Sequence, residues 1–301
     1  MDRRSAWVIG IVFGGLFLFL FGFLAVVYLA LRGEGGPSVS GDRVGVVEIG
    51  GVISDSKRTL KDLQEFKDND RVKAIVVRID SPGGSVGPSQ EIYEAIKRIN
   101  QKKKVVVSMG SIAASGGFYI ACAAEKVYAN PGTLTGSIGV IMQIPNVTGV
   151  LRWAGIEMNT LTAGEKKDSG SMFRAMTDDE RKYFQSLLAD VHEQFIGAVA
   201  EGRKLPPAEV RPYADGRVLS GKQAREAKLV DELGSIEDAV AAAGKMGGIE
   251  GEPKTEYPKR EKKLLKELLG GDDAETVFEG AAVKALERLG GVDLQFRLGG
   301  H

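Results

Sequence analysis

From Ala6 to Leu31 the chain runs through 26 residues without a single charge, AWVIGIVFGGLFLFLFGFLAVVYLAL. A helix rising about 1.5 Å per residue would be about 39 Å long here, against a bilayer hydrocarbon core of about 30 Å. The apolar region of a cleaved signal peptide is shorter, roughly 7–15 residues, and Tyr28-Leu29-Ala30 fits a small-x-small cleavage site poorly. The run is therefore expected to be one permanent N-terminal transmembrane helix. Arg3 and Arg4 precede it, while Gly-Glu-Gly-Gly-Pro-Ser follows Arg32. The positive-inside bias then leaves the N-terminus in the cytoplasm and the rest of the chain outside, as a single-pass cell-membrane protein. Residues 33–42, rich in Gly, Ser and Pro, read as a flexible linker.

Beyond the linker, strand and helix signals alternate. Val44–Ile49, Ala74–Asp80 and Val105–Ser108 are β-branched runs, and Pro88–Asn100 carries Ile92, Ile96 and Ile99 at helical spacing. The last two strands and this helix make a βαβ unit, the building block of parallel α/β sheets. Further short strands are expected at Lys126–Ala129, Ile138–Met142 and Met158–Leu161. Thr177-Asp-Asp-Glu180 is a capping-box signature opening a long amphipathic helix. The main folded domain is placed at 43–250. A C-terminal extension at 251–301 contains a charged stretch, Lys259–Lys266, and an expected helix, Asp272–Leu289.

Composition removes several function classes. Forty basic and forty acidic side chains cancel, so no net field draws the chain to nucleic acid. The one cysteine, Cys122, rules out an intrachain disulfide or Cys-based zinc site, and its apolar surroundings predict a small buried hydrophobe. Ser54-Asp-Ser-Lys57 fits S-x-x-K by chance, in a polar turn without the accompanying elements. Gly216–Lys222 resembles a phosphate loop, but Gln223 stands where Ser or Thr must hold magnesium. Neither a metal nor a cofactor is expected.

Two glycine-rich stretches follow strands, where open α/β sheets place ligand sites. They are Asp80-Ser-Pro-Gly-Gly-Ser-Val86 and Met109–Phe118. In the second, Ser115 lies among small residues just before an apolar helix. Free N–H groups at a helix start favour developing negative charge, and the Gly116 N–H is suited to be one oxyanion donor. The Gly83-Gly84 turn is the natural supplier of a second. A serine hydroxyl needs a base. The two histidines are unsuitable: His192 rides the long helix, and His301 is the last residue. A lysine serves if burial favours its neutral form. Lys166 and Lys167, in Thr162-Ala-Gly-Glu-Lys-Lys-Asp-Ser169, are equal candidates on this reasoning.

These segments resemble the signal peptide peptidase A family, membrane serine proteases with a Ser-Lys dyad. The resemblance is carried by Asp80–Gly84, Ser108–Tyr119, Thr133–Ile141, Ala163–Asp168, Ala214–Ala224 and Leu229–Gly234. It implies Ser115 as nucleophile, Lys167 as general base, Ser137 as the group that orients the lysine, and Gly84 and Gly116 as the oxyanion hole. It further implies a Clp protease/crotonase-like spiral of βαβ units that assembles as a homo-oligomeric ring, with the serine and lysine of one site drawn from adjacent subunits. The substrates implied are remnant signal peptides, with small or misfolded proteins besides. In some relatives the C-terminus is trimmed or occupies the sites. Two rival readings are a crotonase-like acyl-CoA enzyme and a catalytically inactive membrane scaffold of the same fold.

Overall fold

The β-branched runs build a largely parallel sheet whose strands are hydrophobic on both faces. The computed structural model describes residues 20–22, 41–259 and 295–297. The chain divides into two units, Met1–Gly41 and Asp42–His301. Apart from the helical Leu20–Gly22, the expected anchor Ala6–Leu31 lies outside the described residues, as do most of the linker and the expected helix Asp272–Leu289. No helix among the described residues is long and apolar enough to cross a membrane.

The second unit opens with β1 (Arg43–Gly50), α1 (Lys57–Asp68), β2 (Val72–Ser81), β3 (Gly83–Ser85), α2 (Val86–Asn100) and β4 (Lys104–Ala114). Strands β1, β2 and β4 pair in parallel, with β2 in the middle. Alternate side chains point to opposite faces of a strand, and both faces here are covered. Val47, Ile75, Val77, Val105 and Val107 join Leu63, Phe66, Ile92 and Ile96 from α1 and α2. Val44, Val46, Ala74, Val76 and Val106 meet Ala239 and Ala243 on the other side. Such coverage is what near-continuous hydrophobic runs require, each fully buried Val or Ile contributing about 1.5–3 kcal/mol. Lys103 closes the end of α1, donating to the Phe66 and Asn69 carbonyls at 2.9 and 2.7 Å.

The chain continues through α3 (Gly116–Ala121), β5 (Lys126–Ala129), β6 (Leu134–Gly136), α4 (Thr148–Trp153), α5 (Asp178–Arg203), α6 (Pro207–Val210), β7 (Val218–Ser220), α7 (Gly221–Glu226), β8 (Glu232–Leu233), α8 (Ile236–Met246), β9 (Lys254–Glu256) and β10 (Gln295–Arg297). The capping box is formed: Thr177 Oγ1 accepts from the Glu180 N–H, and Glu180 accepts from the Thr177 N–H. Cys122 is buried as expected, and burial pushes its thiol up to about 12.

Two expected strands do not form. In place of Ile138–Met142 the strand falls at Leu134–Gly136, where β4 offers a parallel partner. Met158–Leu161 pairs with nothing among the described residues and is exposed. A β-rich composition without an adjacent edge gives no ladder.

Candidate active site

Strand β4 has two halves. Val106–Ser108 pairs with β5, and Ile112–Ala114 pairs with β6. Between them the register against β2 slips, from Ile79 opposite Met109 to Ser81 opposite Ala113. The Asp80 carboxylate fills the irregularity, accepting from the Ile112 N–H at 3.1 Å. Bulges of this kind re-aim a strand. Met109–Ala114, read from sequence as a loop, is thus a redirected strand that delivers the chain to Ser115.

Ser115 takes φ 53° and ψ −116°. A non-glycine residue with positive φ is strained and persists only where its surroundings over-determine it. Here the Ser115 N–H donates to the Gly136 carbonyl at 2.9 Å, and the Ser115 carbonyl accepts from the Tyr119 N–H at 2.8 Å. Strand β6 and helix α3 hold the residue from either side. Its Oγ is buried and makes no hydrogen bond with any described residue, His192 included.

Ser137 follows Gly136, which receives the Ser115 N–H. It too has positive φ, 52°, and its own N–H is taken by the Arg217 carbonyl at 2.8 Å. The expected orienting serine therefore stands one residue beyond the nucleophile's backbone partner. Gly116 starts α3, where the first N–H groups lack intrahelical partners.

Gly84 lies in β3, which packs against α3. It bridges Ile53, whose N–H goes to the Gly83 carbonyl and whose carbonyl accepts from the Ser85 N–H. The Gly84 N–H and carbonyl accordingly face away from Ile53. A side chain is impossible there, since a Cβ would stand 2.1 Å from the Ile53 oxygen. On the free side of β3 lies the chain's own β10, antiparallel, with Phe296 opposite Gly84. A cleft of about 470 Å³ lined by Ile53, Arg58, Arg78 and Asp80 adjoins this turn, but Ser115 does not line it.

Ser115, Ser137, Gly84 and Gly116 are thus gathered by β3, β4, β6 and α3. Lys167 is not. It sits in a turn, its N–H donating to the Gly164 carbonyl at 3.1 Å, within an exposed segment. Its amine has no hydrogen-bond or ion-pair partner among the described residues. Lys166, the other candidate, is tied to Asp179, which raises the pKa of its amine and opposes the role of a neutral base. Arg174, singled out by no sequence motif, fastens this turn to α5, donating to both Asp168 and Glu180. Only the capping box just downstream pointed that way. The guanidinium, followed by the Thr177 backbone bond, pushes the Glu180 carboxyl down to about 2.

The model for peptidase family S49 matches residues 97–250, and that for Clp protease matches 45–135. The chain belongs to peptidase family S49, the signal peptide peptidase A family. It is similar to "Putative protease slr0021" of Synechocystis sp., 41% identical over 234 residues, which cover 76% of this chain and 84% of that protein. It is 34% identical over 220 residues to Protease 4 of Salmonella typhi, covering 70% of this chain and 35% of the longer protein. It is also 34% identical over 182 residues to "Putative signal peptide peptidase SppA" of Enterococcus faecium, covering 60% and 53%. This S49 member is a serine protease on a parallel-rich α/β framework of the Clp protease/crotonase kind. The S49 match takes in Ser115, Gly116, Ser137 and Lys167, and the Clp protease match takes in Gly84.

Proposed function

We propose that the chain is a membrane-anchored Ser-Lys endopeptidase, active as an oligomer in which Lys167 of one copy serves Ser115 of another. One observation carries this reading. Among the described residues of one chain the buried Ser115 hydroxyl has no partner, while the Lys167 amine stands exposed and likewise without one. The segment leading to Lys167 is also apolar: Trp153 is 88% exposed and Leu161 98%, with Val150, Ile156 and Met158 between or beside them. Exposed apolar surface of this kind marks a contact face.

In this reading the neutral Lys167 amine takes the Ser115 hydroxyl proton as the oxygen attacks the scissile carbonyl. Once the substrate takes the place of β10 on β3, the N–H groups of Gly84 and Gly116 receive the oxyanion, each such donor being worth about 10²–10³ in rate. The lysine ammonium then protonates the leaving amine. Water, deprotonated by the same lysine, hydrolyses the ester at Ser115 and frees the acid. Ser137 orients the amine.

The pairing of β10 with β3 supports a peptide substrate, because it shows that the free side of β3 accepts an extended chain in antiparallel register. Remnant signal peptides are the proposed substrates, in keeping with the name of the Enterococcus relative. The charge-free run Ala6–Leu31 would hold the catalytic unit at the extracytoplasmic face of the bilayer, beside such peptides.

Substitution of the two lysines tests the base. Lys167→Ala is expected to abolish peptide hydrolysis and fluorophosphonate labelling of Ser115, while Lys166→Ala retains both. Because the base acts uncharged, turnover should climb toward alkaline pH. A dead Lys166→Ala beside an active Lys167→Ala, or a flat profile from about pH 5 to 9, would overturn the assignment.

A further inference from the structure

A lysine amine at the end of four methylenes works as a base only where its backbone is fixed, and the segment Ile156–Lys167 is exposed throughout. The fixed point is the next residue. Arg174 Nε donates to Asp168 Oδ2 at 2.6 Å, and Arg174 Nη2 donates to the Asp168 carbonyl at 2.8 Å. Side chain and main chain of Asp168 are therefore both held. The other edge of the guanidinium grips Glu180, Nη1 to Oε2 at 2.9 Å and Nη2 to Oε1 at 2.5 Å. The fifth N–H reaches the Ala175 carbonyl at 3.2 Å. All five guanidinium donors are used.

Glu180 is itself rigid. Its carboxylate accepts from the Thr177 N–H at 2.8 Å, its N–H donates to Thr177 Oγ1 at 3.2 Å, and its side chain is only 7% exposed. A continuous set of bonds thus runs from the residue after Lys167 through Arg174 into the N-terminal cap of α5, which is rooted in the core by Val191, Phe195 and Val199. On the near side, Lys166 is tied to Asp179 of the same helix start. Of the two adjacent lysines one is thereby occupied, and the other is left projecting from an anchored turn.

We infer that Arg174 is a positioning residue for catalysis, locking the Asp168 backbone to the α5 cap so that Lys167 is presented at a fixed place. This rests on the reading of Lys167 as the base. Glu180, held low by Arg174, stays ionised throughout the range in which a neutral amine could act, so the lock does not titrate with the base. The Asp168 arm is partly exposed, an ion pair of the kind that contributes little to global stability, and the sheet does not depend on this turn. The loss should therefore appear in turnover. A lysine cannot replace the arginine, because a point charge lacks the planar fork that spans two carboxylates.

The test uses the full chain as the assembled oligomer, with a fluorogenic peptide and a fluorophosphonate probe. Arg174→Gln, Arg174→Lys and Asp168→Asn are each expected to lower kcat about 10–100-fold, the scale of a misplacement near 1 Å. KM should stay within about twofold, since the β3 groove is untouched. Ser115 labelling should slow by the same factor as kcat. The double variant Asp168→Asn/Arg174→Gln should fall no further than the worse single one, because both break one linkage. If Arg174→Gln fails to assemble, Asp168→Asn, which keeps the Glu180 arm, decides the matter by the same readouts. Wild-type kcat in these variants, or a change confined to KM, would overturn the inference. Lys167→Ala run in parallel separates the two claims. If it stays active the base itself is wrong; if it is dead while Arg174→Gln is fully active, only the positioning role falls.

Discussion

Ser115 combines two features that a structural residue would shed, a positive φ and a buried hydroxyl without a partner among the described residues. Strain of that sort costs about 1–3 kcal/mol, and an unsatisfied buried hydroxyl about as much again. Alanine would keep the backbone strain and remove only the hydroxyl. Ser115→Ala is therefore expected to end turnover and to raise the unfolding free energy of the unassembled chain by about 1 kcal/mol, measured by denaturant titration. A destabilised variant would mean that the hydroxyl has a partner in that state. The sequence made this serine legible because small neighbours and a following apolar helix are local features. It left Lys166 and Lys167 equivalent, since what separates them lies elsewhere: Asp179 occupies the first and nothing described occupies the second. Arg174 was invisible for the same reason, its two carboxylates each lying six residues away on opposite sides.

Among the elements, β1, β2, α2 and the start of α5 follow from periodicity and capping, and the sequence reading placed them within a few residues. The division of β4 between β5 and β6 does not follow from either. It depends on a register slip filled by Asp80, a contact between strands rather than within one. Ile138–Met142 and Met158–Leu161 form no strands although their content suggests them, because β-branched or apolar content says nothing of whether an edge is available. Helix α5 shows how closely the elements meet at the other end of the domain. A Cβ on Gly202 would lie 1.9 Å from the Cys122 carbonyl oxygen, just beyond α3. Gly202→Ala is expected to destabilise the domain by about 1–3 kcal/mol, lowering the thermal midpoint while leaving kcat of the folded fraction unchanged. An unaltered midpoint would show that α5 slides freely on its neighbours.

For the whole molecule, the nucleophile and its proposed base share no bond among the described residues of one chain, and the stretch carrying the base is apolar and exposed. A heterologous contact, repeated around a closed ring, would cover that stretch and complete every site at once. Arg174 and the α5 cap would then matter doubly, since a lysine offered to a neighbouring copy can be aimed only by its own chain. Mixing inactive chains exposes this arrangement. Ser115→Ala and Lys167→Ala proteins, each dead alone, would be dissociated together and reassembled, and hydrolysis of a fluorogenic peptide measured. Random assembly should restore about a quarter of the sites, those where an intact serine meets an intact lysine across a contact. Mixed oligomers, verified by mass, that remain as inactive as their parents would contradict a shared site.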